Sequence, residues 1–270
     1  MDFNLTSALI LSVAGLGAGL VAGFAGVGGG IVMVPVMLEL LRAWGVPPQH
    51  AVQAAMATSL TVGTLSTGSA ALRHHLHQTV LWRLVVPVVP ASMLGGWLGA
   101  TIAAQLDGRV LQGGLALALT FAAWRLVQQR EPRGDDGVPR KSLWLWGSLG
   151  LGAGLFSGLS GLAGGAVLIP ALALWGKVPG RFLAGTSAGA VMFTAMSGAL
   201  GYMRNGPGDG LLGDGFVGYA SLPAALVLAI TAIPMAQVGA KLNRRTSGVL
   251  FRRIFAGIMV VVVVRLVATL

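Results

Sequence analysis

Five glycines stand within eight residues of the stretch GFAGVGGGIVMVP, at positions 23, 26, 28, 29 and 30. A backbone without Cβ atoms can turn sharply and bring its N–H groups close to an anion. A second stretch, GLSGLAGGAVLIP at residues 158–170, offers Gly164 and Gly165 in the same way. Two hydroxyl pairs, Thr58-Ser59 and Thr186-Ser187, follow the two stretches and supply O–H donors for oxyanion oxygens. Gly28, Gly29, Gly30, Gly164 and Gly165 with these four hydroxyl residues form the candidate binding set.

Other chemistry is thinner. His74, His75 and His77 in RHHLHQ could hold a metal, but no carboxylate or thiol stands beside them, and a solvated basic loop is the better reading. Ser160 in GLSG has the local context of an intramembrane serine nucleophile, which needs a histidine in reach. All four histidines (50, 74, 75 and 77) lie in the other half of the chain and outside the expected core. With no cysteine, disulfide and thiolate chemistry are excluded. No cofactor or metal site is expected, and the chain is not read as an enzyme.

The elements that carry these residues are apolar. Of 270 residues 55% are hydrophobic and 10% charged, and apolar runs long enough to cross a bilayer recur from end to end. The chain reads as an all-α integral membrane protein with lipid as its surroundings. Its net charge of +10 reflects basic loops on one membrane face, and no nucleic-acid partner is implied. Asp2 stands where a signal peptide would carry a basic residue, so the first segment is expected to be retained.

The chain is duplicated. Residues 17–35 lie over 152–170 at a shift of 135 with ten of nineteen positions identical. Thr58-Ser59 falls over Thr186-Ser187 at a shift of 128, and Gly99-Ala100 over Gly239-Ala240 at 140. The units are 1–128 and 143–270, joined by a polar linker at 129–142.

Whether the glycines interrupt a span decides the topology. If each long apolar run crosses once, the 18 Lys and Arg divide nine against nine between the faces. If the chain turns back at the glycines, with helical arms 5–25 and 30–41 and again 143–160 and 166–176, fourteen share one face and four the other. The second division is the asymmetry that orients membrane proteins. Two inverted repeats of about five helical segments each are therefore expected, each opening with a broken, re-entrant Gly-rich hairpin. The linker is then cytoplasmic and both termini lie outside.

The second arm, about 12 residues or roughly 18 Å of helix, crosses only part of the bilayer, so its amino end lies at membrane depth. Irregular backbone there must be buried in protein or line a wet cavity. Inversion sets the two breaks opposite each other, their positive dipole ends facing one anion between the halves. Gly29→Leu should then abolish binding. Gly15, Gly19 and Gly23, spaced four apart, read as helix-packing positions, and Gly15→Ala should be mild.

GFAGVGGGIVMVPVML and GLSGLAGGAVLIPALA resemble the two signature stretches of the sulfite exporter TauE/SafE family of membrane permeases, and the likeness extends over essentially the whole chain. The resemblance implies a bacterial inner-membrane secondary transporter of a small sulfur-bearing anion, sulfite or an organosulfonate. A passive anion channel of the same fold is the alternative, and an intramembrane serine protease a distant one. No intramembrane carboxylate is evident, so any coupling proton must travel with the substrate or through Glu39 or a histidine. Ala163, standing where the first copy has Gly28, departs from the symmetry.

Overall fold

The computed structural model describes residues 4–128, 142–207, 211–243 and 264. Among them are nine helices: α1 (Leu5–Ala25), α2 (Gly30–Ala43), α3 (Pro48–Leu76), α4 (Trp82–Gln105), α5 (Gly108–Gln128), α6 (Leu143–Ser160), α7 (Gly165–Leu174), α8 (Gly180–Arg204) and α9 (Leu222–Asn243). A two-stranded antiparallel ribbon, β1 (Phe216–Val217) and β2 (Ala220–Ser221), precedes α9. Helices α1, α4, α8 and α9 are each long and apolar enough to cross a membrane. The protein is an all-α integral membrane protein. The linker at 129–142 and the closing segment of the second unit lie outside the described residues, Ser142 and Val264 excepted.

Local signals set the helix ends. Asn4 and Ser142 cap α1 and α6, their side-chain oxygens accepting from the amides of Ser7 at 2.8 Å and Leu145 at 3.4 Å. The same two helices stop at glycines in the left-handed region, Gly26 at φ 66° and Gly161 at φ 69°, whose amides bond back to Ala22 and Ser157. Each glycine stretch thus ends one helix and starts the next.

Both short arms fold back. The indole N–H of Trp44, after the last turn of α2, donates to the hydroxyl of Ser7 in the first turn of α1 at 3.1 Å. In the second hairpin a methyl group on Gly176, just past α7, would stand 2.8 Å from the ring of Trp146 near the start of α6.

The halves pack reciprocally. Gly15, Gly19 and Gly23 of α1 lie against the backbone of Leu228, Ala232 and Ala236 of α9, and Gly150, Gly154 and Gly158 of α6 against Val88, Ser92 and Gly96 of α4. The shifts of 135 and 140 carry one set of pairs onto the other, so the contacts obey an approximate two-fold exchange. The corresponding long helices α3 and α8 run antiparallel, with Leu60 beside Gly198, Gly63 beside Ala195 and Gly68 beside Met192.

Two expectations are corrected. A methyl on Gly15 would collide with the Thr231 hydroxyl and the Leu228 carbonyl, so Gly15→Ala is not mild; overpacking of this kind costs about 1–3 kcal/mol. And RHHLHQ is not a solvated loop: α3 continues through Leu76 and buries His74, which is 1% exposed.

Candidate functional site

Between α1 and α2 the chain is unwound over residues 26–29, and between α6 and α7 over 161–164. These segments cross at the centre of the protein in opposite directions. A methyl on Gly30 would stand 2.5 Å from the Gly161 carbonyl oxygen, and one on Gly165 2.5 Å from the Cα of Val27. Midway, a methyl on Gly28 would lie 2.6 Å from the Cβ of Ala163. Gly28 and Ala163 are equivalent positions of the two units, so the crossing is centred on them. Only one Cβ fits there, and Ala163 carries it at φ 62°, a conformation that L side chains rarely adopt. The departure from symmetry at this pair therefore has a steric cause.

The helix ends meet crosswise. The carboxyl end of α1 at Gly26 lies against the start of α7, and the carboxyl end of α6 at Gly161 against the start of α2. The sequence suggests two amino ends facing one pocket; instead each amino end meets the carbonyls of the other half, because opposed dipole ends attract in apolar surroundings. The compensation is incomplete. Among the described residues no hydrogen bond takes up the amides of Val27, Gly28, Gly29 and Gly30, or those of Ala163, Gly164 and Ala166. No Asp, Glu, Lys or Arg is buried among the described residues either, so backbone dipoles dominate the field at the crossing.

Of the candidate residues, Gly28, Gly30 and Gly165 form the crossing itself. Gly29 turns toward Ala18 and Met33 of its own hairpin, and Gly164, at φ 73°, toward Ala153 and Ser157. Ser59 donates to the Gly161 carbonyl at 3.1 Å and Ser187 to the Gly26 carbonyl at 2.8 Å. Each serine thus ties its helix to the break of the opposite half. The threonines receive amides: Thr58 from Ser221 at 3.0 Å and Thr186 from Leu81 at 3.1 Å, while Thr58 donates to Ala54 of its own helix. All four hydroxyl residues are buried and hold backbone. Ser160 likewise donates to the Phe156 carbonyl at 2.6 Å and accepts from the amide of Leu162 at 3.3 Å, a helix-end role.

Two residues near the crossing, Ser157 and Tyr202, escaped the sequence reading, and a third, His74, reads there only as part of a solvated basic loop. Ser157 is fully buried, its hydroxyl has no hydrogen-bond partner among the described residues, and its Cβ is 3.2 Å from where a methyl on Gly164 would sit. His74 reaches the Gly23 carbonyl with Nε2 at 3.1 Å, and Tyr202 donates to the Gly158 carbonyl at 2.8 Å. The shift of 128 that pairs the Thr-Ser segments also pairs His74 with Tyr202, a signal that was available. Ser157 corresponds to Ala22 and left none.

Comparison with known proteins agrees with a membrane transporter. Over 263 residues the chain is 27% identical to a "Probable membrane transporter protein" of Haemophilus influenzae, covering 97% of this chain and 98% of that one. It is 26% identical to a probable membrane transporter of Methanocaldococcus jannaschii, over 88% of this chain and 87% of the relative, and 25% identical to one of Bacillus subtilis over 74% and 80%. The family model described as "Sulfite exporter TauE/SafE" matches residues 11–266. A chain whose two glycine breaks cross at the centre of an all-helical membrane fold, matched almost from end to end, belongs to the TauE/SafE sulfite exporter family.

Proposed function

We propose that this membrane transporter carries a small sulfur-bearing anion, sulfite or an organosulfonate, across the bacterial plasma membrane by alternating access at the crossing of the two breaks. The observation that carries the reading is the set of unbonded amides at a buried crossing without charged side chains. Each unsatisfied buried amide costs about 1–3 kcal/mol, so several together favour an oxyanion that accepts from all of them. The hydroxyl of Ser157, buried and without a partner beside Gly164, is a further donor.

In this conformation the breaks are in contact at Gly28, Gly30 and Gly165. Admitting an anion requires the halves to part, and closing behind it favours a carrier over an open channel. The two units, 1–128 and 143–270, are read as inverted in the membrane. The antiparallel packing of α3 and α8 and the returning hairpins support that reading. The linker at 129–142 then lies in the cytoplasm and the termini outside.

Uptake of radiolabelled sulfite into proteoliposomes tests the substrate. Saturable flux, inhibited by organosulfonates more than by chloride, is expected. Absence of flux for sulfite, thiosulfate and every organosulfonate tried would reject the substrate class, and flux that never saturates would favour a channel.

A further inference from the structure

Each hairpin is held at one carbonyl by a side chain from the long helix of its own half. Tyr202 on α8 holds Gly158, and His74 on α3 holds Gly23. The positions correspond by the same shifts of 128 and 135 that relate the two units. One latch is a phenol, neutral throughout the physiological range. The other is an imidazole, whose ordinary titration near about pH 6.5 falls inside it.

The geometry suits a neutral ring. A carbonyl only accepts, so Nε2 of His74 carries the hydrogen toward Gly23. Nδ1 lies 3.1 Å from Oγ1 of Thr79, and that hydroxyl lies 3.0 Å from the carbonyl of His74. The amide of Thr79 already donates to the same carbonyl at 3.0 Å. The hydroxyl donates to that carbonyl and can accept from a protonated Nδ1, or it can turn and give its hydrogen to Nδ1 of the neutral ring, so both forms keep their hydrogen bonds and burial decides between them.

Burial disfavours the charged ring. His74 is buried, and Gly185 of α8 closes over its Cβ. α1 brings no charged residue, and the turn that supplies Thr79 brings only His77. Among the described residues, the titratable groups at this end of the surrounding elements are Arg73, His75 and His77 in the same segment, Arg83 on α4, Arg181 on α8 and Lys241 on α9. All are basic, and His77 is close enough to oppose a second positive charge. Burial above all, and His77 to a lesser degree, work against the imidazolium, while the Gly23 carbonyl favours it.

We propose that His74 is a proton-binding site whose protonation releases the first hairpin: the charged ring withdraws from Gly23, freeing the last turn of α1 and with it the crossing. The second hairpin, latched by Tyr202, does not respond. The proposal rests on the transporter reading only in requiring that the crossing move; no particular anion is assumed. It is tested without one, so failure of sulfite transport and failure of the latch are separate results.

The experiment is hydrogen exchange of the full chain in nanodiscs between pH 5 and 8, corrected for intrinsic rates. Amides of residues 22–31 are expected to lose protection at least tenfold as pH falls from 8 to 5, with residues 157–166 unchanged. In His74→Gln, which keeps a donor for Gly23 and cannot titrate, the step should vanish. A flat wild-type profile, equal steps in both hairpins, or a step that survives His74→Gln would overturn the proposal; the wild-type comparison of the two hairpins decides even if the variant does not fold.

Discussion

Trp44 at the end of α2 and Ser7 at the beginning of α1 are joined by a hydrogen bond of 3.1 Å. Residues 37 apart in the chain meet because the glycine break reverses its direction, so the hairpin ends on the face where it began. The chain has no cysteine, which makes the consequence easy to measure. Single cysteines at the exposed positions Thr6 and Gln49 should react with an impermeant maleimide from the same face, and one at Asp135 from the other. Labelling of Thr6→Cys and Gln49→Cys from opposite faces would mean that the hairpin crosses.

The facing of Gly28 and Ala163 predicts a compensating pair. Gly28→Ala adds a second Cβ at the centre and a side chain at φ 86°, for a loss of about 2–4 kcal/mol from overlap and backbone strain. Ala163→Gly alone relieves strain and should be neutral or slightly stabilising. The double variant exchanges the two residues across the axis and should regain most of the loss, read as thermal stability in detergent.

Ser59→Ala and Ser187→Ala each leave a buried carbonyl of the opposite break without its donor. A loss of about 1–3 kcal/mol is expected for each. Since the bonds are equivalent, the two variants should be alike in melting temperature. A large effect from one and none from the other would show that only one break is held in this way.

Glycines of equal composition differ in consequence. Gly19→Ala drives a methyl into the backbone of Ala232 and should cost about 1–3 kcal/mol. At Gly152, where nothing lies within 4 Å of the added methyl, alanine should be neutral or stabilising by up to about 1 kcal/mol through helix propensity.

Much of this fold is legible in the chain because the duplication repeats its own punctuation. Gly26 and Gly161 mark the helix stops, and the hairpin arms emerge close to the expected limits, α2 running on to Ala43 and α7 ending at Leu174. What the sequence conceals is which half each group serves. The spacing of Thr58-Ser59 and Thr186-Ser187 reveals equivalence, but not that each serine holds the opposite break. The glycine pattern implies close approach, yet the approach proves to be chain against chain at Gly28 and Ala163. His74 sits in a run of basic residues that looks solvated, and only the extra turn of α3 carries it under Gly185.

The central claim is that backbone amides at the crossing bind the anion, and amide NMR of the isotopically labelled protein titrated with sulfite tests it most directly. The account predicts saturable downfield shifts confined to residues 27–30 and 163–166. Saturable shifts that appear elsewhere while these amides stay unmoved would contradict it.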